Sequence, residues 1–224
     1  MTTLTCTQPF TYHIDHLALS EQSPMVTSFD SLTPSAYKDG SYRLRRYSVF
    51  HYDKLAKMVS KQPHEAFVQD DSLNKFQGNV TRDYDDLTDA TIADGEFIAM
   101  LDAFAATANL PDVSKIAIHQ MRIIAKDRDA NAVATPEGIH QDGFDYIGVF
   151  TTRRHNVAGG ELYVWQDKTD AVPIATLDPK AGDYCVLNDK QLWHSAGDVA
   201  PAQAGQGFWD LFVLTAHDQP AVVS

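Results

Sequence analysis

From Lys115 to the C-terminus the chain reads as one short strand after another, and that pattern limits its folds more than any other feature. The stretch "KIAIHQMRIIA" alternates, with Ile116, Ile118, Gln120, Arg122 and Ile124 on one face and His119, Met121 and Ile123 on the other. After the polar loop "KDRDANAVATPEG" come "YIGVFTT", "GGELYVWQD", "PIATLD", "DYCVLND" and "FWDLFVLTAH", divided by turn residues. Gly159-Gly160 suits a reversal between two strands, because glycine takes positive φ without penalty. Short strands with almost no helical period after residue 111 predict an antiparallel sandwich or jelly roll. Upstream the texture differs. "LTDATIADGEFIAMLDAFAATANL" sets Ile92, Phe97, Met100, Leu101 and Phe104 near helical spacing, with Pro111 beyond its end. "YRLRRYSVF" (42–50) reads as an early strand, and residues 1–35 are weakly patterned. The expectation is a single mainly β domain over 1–224, with an N-terminal helical or mixed cover (1–111) over a β core (112–224).

Composition matters mainly for what it excludes. A net charge of −12, from 18 basic and 30 acidic residues, disfavours nucleic acid as a partner, since phosphate binding needs a basic surface. No apolar run approaches the roughly 18 residues of a membrane span, and the first residues lack the basic and apolar blocks of a secretory signal. A cytoplasmic small-molecule enzyme is the expectation. Cys6 and Cys185 are too few and too far apart for a disulfide framework or a thiolate zinc site, and Cys185 reads as a buried small residue.

Chemistry is suggested by "PEGIHQDGFDYIGVF" (136–150) and "NDKQLWHSAGD" (188–198). On a strand, positions i and i+2 point the same way, so His140 and Asp142 can present an imidazole and a carboxylate together. A second strand bringing His194 across completes two histidines and one carboxylate, the facial set of non-haem Fe(II) oxygenases, which leaves coordination positions open for O2 and substrate. Against this, a lone His-X-Asp arises often by chance, and either histidine could be an ordinary hydrogen-bonded residue. The other seven histidines, at 13, 16, 51, 64, 119, 155 and 217, lack a partner at ligand spacing or lie outside the β-rich half, and read as non-ligands.

The blocks "PEGIHQDGFDYIGVF", "RRHNVAGGELYVW" and "GDYCVLNDKQLWHSAGDV", in this order, resemble the iron(II)/2-oxoglutarate dioxygenase family that includes bacterial free-amino-acid hydroxylases of the L-isoleucine 4-hydroxylase type. Weaker likeness extends upstream through "DGSYRLRRYSVF", "AFVQDDSLNKFQGNVTRDYDDL" and "IHQMRIIA", from about residue 39 onward. The resemblance implies a double-stranded β-helix (cupin-like jelly roll), with His140, Asp142 and His194 as ligands to Fe(II). It also implies oxidative decarboxylation of 2-oxoglutarate by O2, coupled to hydroxylation of a free amino acid or similar small molecule. Because Asp142 retains the carboxylate, hydroxylation is favoured over halogenation.

One position departs from the family pattern. Members usually carry an arginine after the distal histidine, in a G-Y-R-D-like pattern, to pair with the far carboxylate of 2-oxoglutarate, a task that suits a planar guanidinium. Here "GQGFWDLFVL" places Trp209 at that point, and no lysine or arginine follows Lys190. Three accounts stay open: another cation serves, Arg122 or Arg154; 2-oxoglutarate is not used and Trp209 reshapes the pocket; or the protein is a non-catalytic cupin-like metal or ligand-binding module. Arg122 is the better candidate because its strand neighbours suggest an inward face, and the same arginine could hold the carboxylate of an amino-acid substrate. Tyr146, four residues after Asp142, is expected on the same face and within reach of cosubstrate, with a packed core tyrosine as the equal alternative; Gln141 and Trp209 are expected beside substrate, with a core tryptophan as the simpler explanation of the latter. Arg43, Arg45 and Arg46 read as a solvated edge strand rather than an anion entrance. Gln69, Asn74 and Arg82 fall where a lid over substrate could form, with abundant polar loop residues as the simpler explanation.

Overall fold

The computed structural model describes residues 11–126 and 132–221. Cys6 and part of the polar loop before Pro136 therefore lie outside the described residues. The strands are β1 (Tyr12–His16), β2 (Arg43–Asp53), β3 (Met58–Lys61), β4 (Val113–Ala125), β5 (Tyr146–His155), β6 (Val157–Gly159), β7 (Leu162–Trp165), β8 (Ala175–Leu177), β9 (Asp183–Asn188), β10 (Trp193–Ala196), β11 (Val199–Pro201) and β12 (Gly207–Pro220). Helices α1 (Pro24–Thr27), α2 (Asp89–Ile92) and α3 (Gly95–Thr107) complete the regular elements, with one 3-10 turn over Ser28–Ser31. None of these helices is long and apolar enough to cross a membrane.

A seven-stranded antiparallel sheet runs in the order β1-β9-β5-β12-β4-β2-β3, beside a three-stranded sheet β10-β7-β8 and a pair β11-β6. This is the mainly β, antiparallel arrangement consistent with the jelly roll of 2-oxoglutarate oxygenases. The expected helical cover over 1–111 reduces to one long helix. The rest of that region supplies three strands to the large sheet, because β1, β2 and β3 pair with β9, β4 and each other rather than lying over it.

Alternation in the central strands divides the interior in two. Ile116, Ile118, Phe50, Phe150, Phe212 and Leu214 pack on one side with Phe97, Met100, Leu101 and Phe104 of α3. These four helix residues follow the i, i+3, i+4, i+7 spacing that turns one stripe to the sheet. Asp94 caps α3 by accepting from the Glu96 amide at 2.8 Å. Close approach of the helix requires Gly148, where a Cβ would lie 2.8 Å from the Phe104 ring. On the other side Met121, Ile123, Ile147, Val149, Cys185, Leu187, Trp209 and Leu211 face β7 and β10. The second side carries the site.

The early strand is not an edge. β2 lies between β4 and β3, and Arg43 is only 6% exposed, against the solvated edge expected from its three arginines. Asp39 makes that burial tolerable: it accepts from Arg43 Nη1 at 2.9 Å and from Arg45 Nη2 at 3.4 Å.

Candidate metal centre

His140 and His194 are joined by a pair of backbone hydrogen bonds, His140 N to His194 O and His194 N to His140 O, both 3.0 Å. Their rings stand 4.3 Å apart between centroids, and one ligand atom from each of His140, Asp142 and His194 lies within 4.8 Å of the others. His194 belongs to β10, whereas Asp142 sits in the loop before β5. Strand alternation therefore does not aim the carboxylate. Asp189, 1% exposed, accepts from the amides of Asp142 (2.8 Å) and Gly143 (3.0 Å), and Gly143 at φ +87 turns the chain there.

Each imidazole is held from behind. His140 Nδ1 lies 2.9 Å from Gly138 O, and His194 Nδ1 lies 3.3 Å from Asp189 Oδ1. Both Nε2 atoms thus face the Asp142 carboxylate, at 3.8 Å from His140 and 3.4 Å from His194. A back-side carbonyl or carboxylate that fixes the tautomer is what a metal-ligating histidine requires. Burial disfavours a charged His194, yet the carboxylates of Asp142 and Asp189 beside it outweigh burial and draw its pKa up to about 10. For Asp142 burial works upward, but the His194 hydrogen bond and the imidazole charges hold the carboxyl well below its ordinary range. His140 moves down, through burial first and then its neighbour His194. The donor set, two imidazoles and one ionised carboxylate converging on one point, fits a divalent metal with open positions. Among the described residues it is the one group of this kind.

The pocket at this centre has a volume of about 110 Å³, room for a small organic acid. Its apolar wall includes Phe67, Met121, Phe144, Leu162 and Trp209. Gln69 Nε2 donates to Asp142 Oδ1 at 3.1 Å, while Gln69 Oε1 accepts from Asn74 (3.0 Å) and Arg82 (3.3 Å). The three residues read as a weak lid signal are thus wired to the metal-side carboxylate.

Several expected site residues stand elsewhere. Arg122 faces the α3 side of the sheet, where its Nε donates to Asp210 Oδ1 at 2.6 Å and its Nη2 to Asp210 and Asp30, both 2.8 Å. Its face is set by the β4 alternation, opposite His119 and Met121. Arg154 pairs across strands with Trp209, stacks its guanidinium 5.3 Å from that ring and donates to Gly159 O, without lining the pocket. Tyr146 begins β5 and packs against the α3-side core, because the loop between it and Asp142 breaks the shared-face pattern. Gln141 turns away and donates to Leu192 O at 3.1 Å. Trp209 is in the pocket wall, 1% exposed, with its Nε1 donating to Thr151 Oγ1 at 3.1 Å. Asp189 is the residue behind the centre that spacing did not single out; its position five before His194 in "NDKQLWHS" was the available signal.

Known proteins resemble this chain in sequence profile and fold. The profile of the family described as 2OG-Fe dioxygenase matches residues 26–215. Among solved structures, a bsmA homologue from Methylobium petroleophilum PM1 is 26% identical, with TM-score 0.73 over 89% of this chain and 81% of that one. IDO from Bacillus thuringiensis is 13% identical with TM-score 0.69, over 86% and 83% of the two chains. The Fe(II)/α-ketoglutarate-dependent dioxygenase TqaL is 14% identical with TM-score 0.63, over 88% and 74%. The last two show likeness of fold. No curated protein matches the chain significantly. A profile match across most of the sequence, on a chain that brings two histidines and an aspartate together, places this protein in the 2OG-Fe dioxygenase family, oxidoreductases that use Fe(II), 2-oxoglutarate and O2.

Proposed function

We propose that this chain hydroxylates a free amino acid or a similarly small substrate, with His140, Asp142 and His194 as the iron ligands. The observation that carries this reading is the convergence of both Nε2 atoms on Asp142, with the Gly138 carbonyl behind His140 Nδ1 and the Asp189 carboxylate 3.3 Å behind His194 Nδ1. Bound Fe(II), with 2-oxoglutarate and O2, supplies the oxidant for an unactivated C–H bond. The protein's own part is positional. Asp189 fixes the His194 ring and the backbone at Asp142; Gln69 holds one carboxylate oxygen of Asp142. Phe67, Phe144, Leu162 and Trp209 keep water from the centre and leave a volume suited to a small molecule. Membership of the family and the retained carboxylate at 142 support hydroxylation over halogenation.

The test is anaerobic Fe(II) titration with and without 2-oxoglutarate, following the weak visible charge-transfer band of the chelate. The band should appear in the wild type and vanish in His194→Ala, together with oxygen consumption. Iron binding with no band would favour the second reading, in which Trp209 excludes 2-oxoglutarate and the organic substrate provides the electrons. Tight zinc with no oxygen uptake would indicate a binding module.

A further inference from the structure

If Trp209 replaces the usual cation and neither Arg122 nor Arg154 enters the pocket, some other group must meet the carboxylates that this chemistry handles. Three arginines line the same cavity as His140, Asp142 and His194. The β2–β4 register sets Arg43 beside Ile123 and Arg45 beside Met121, on the metal side of the sheet. Arg82 arrives from the loop bridged to Phe67, 1% exposed, with its guanidinium 4.6 Å over the Phe67 ring. With Asp142 given to the metal, two carboxylates, Asp39 and Glu137, face three guanidiniums. Asp39 is shared between Arg43 and Arg45 and also accepts from Gln77, while among the described residues the Arg82 side chain donates to the neutral Gln69 carbonyl alone. Glu137, the acid that lines the cavity besides Asp142, acts on Arg43 and Arg82 through its charge and accepts from Asn74.

Donors are left over as well. Among the described residues the Nε atoms of Arg43, Arg45 and Arg82 are buried without a hydrogen-bond partner, as is Nη1 of Arg154 outside the pocket, and so is Nδ1 of His119, which sits between the Tyr47 and Phe67 rings on the same wall. Burial and the neighbouring Arg45 bring Arg43 down to about 10, still cationic near neutrality. Burial and the arginines push His119 well below 6.5, so it remains neutral and adds no competing charge. Buried, unpartnered guanidinium N–H groups are costly unless an anion completes them, and a planar carboxylate matches their geometry.

We propose that Arg43, Arg45 and Arg82 form the carboxylate receptor of this pocket, working from β2 and the Phe67 loop where an arginine at position 209 would otherwise serve. The inference rests on the iron and 2-oxoglutarate reading for its purpose. The carboxylate has two sources, the far end of 2-oxoglutarate or the substrate itself.

The experiment uses Fe(II)-loaded full-length wild type, Arg45→Met, Arg82→Met and Arg45→Lys under anaerobic conditions. Retained Fe(II) binding certifies each fold. Titrants are 2-oxoglutarate, pyruvate as the 2-oxo acid without a distal carboxylate, and, with 2-oxoglutarate present, a panel of free L-amino acids. Loss of about 10- to 100-fold in 2-oxoglutarate affinity in the methionine variants, pyruvate unchanged and Arg45→Lys intermediate, assigns the cosubstrate's carboxylate. Unchanged 2-oxoglutarate binding with loss of the amino-acid response assigns the substrate's. Wild-type behaviour of the variants toward every titrant overturns the receptor. Should iron-loaded wild type form no 2-oxoglutarate chelate, the function reading fails by itself. Calorimetric titration of glutarate into metal-free protein then decides the receptor: binding lost in the methionine variants supports it, and binding that is absent or indifferent to them overturns it.

Discussion

Replacing Asp189 by asparagine preserves side-chain shape and removes one charge at the back of the metal centre. Its carboxylate serves three groups: the amides of Asp142 at 2.8 Å and Gly143 at 3.0 Å, and His194 Nδ1 at 3.3 Å. A carboxamide oxygen can keep the two amides, which turns its NH2 toward His194. A metal-binding His194 offers its Nε2 lone pair, so Nδ1 must carry the proton, and two donors then face each other. Escape by the other tautomer puts the proton on Nε2, aimed at Asp142 and the metal. Loss of such an outer partner costs about 10- to 100-fold in metal affinity, or roughly 1.4 to 2.8 kcal/mol. Asp189→Ala should cost more, since both amides lose a buried acceptor at about 1–3 kcal/mol each. The assay is anaerobic Fe(II) titration against a chelator of known affinity, with thermal unfolding in parallel. An Asp189→Asn protein that binds Fe(II) within threefold of wild type, with an unchanged melting temperature, would refute the positioning role.

Asp39→Asn, which leaves Arg43 and Arg45 buried without their anion, should lower stability by about 3–5 kcal/mol in urea unfolding. Burial tends to raise the Asp39 carboxyl, but Arg45 and Arg43 outweigh it and hold it below 3.8. That stabilisation is present above pH 3.8 and is lost as pH falls through the depressed value, so the gap between variant and wild type should close in acid. Phe104→Ala should cost about 3–5 kcal/mol with Fe(II) affinity unchanged, because Phe104 lies in the α3-side core, across the sheet from the metal. Gly143→Ala must hold an L side chain at φ +87 with its Cβ 2.5 Å from Leu73 Cδ1; about 1–2 kcal/mol of stability and part of the Fe(II) affinity should go together.

Much of the site was legible because its chemistry is written in residue type and order. His-X-Asp followed by a distant histidine named the three ligands, and "GIHQDG" and "DKQLWHS" carried the family. Strand-like runs divided by turns named β4, β5, β7, β8, β9 and β12, though not the three-residue β6 and β11, and helical spacing over Phe97, Met100, Leu101 and Phe104 named the α3 face. Other features were hidden for identifiable reasons. β1, five residues long, offers only Tyr12 and Ile14 as an apolar alternation, too short to stand out, and it forms by adding to the edge of β9. The two faces of β4 read as similar in sequence, each carrying apolar residues and one polar group able to serve a site. Pairing with β12 settled them, since Asp210 claims Arg122 from the same side.

By itself the sequence determined that this chain has the means to bind a divalent metal and the alternation to build an antiparallel sheet, because both follow from residue identity and local spacing. Which arginines meet the metal pocket was decided by tertiary structure alone. Guanidiniums are chemically equal in a sequence, and a cation acts on an anion only from the same face of the same cavity. That placement depends on strand order, on Asp39 making the burial of Arg43 and Arg45 tolerable, and on a loop that carries Arg82 to them from outside the β core.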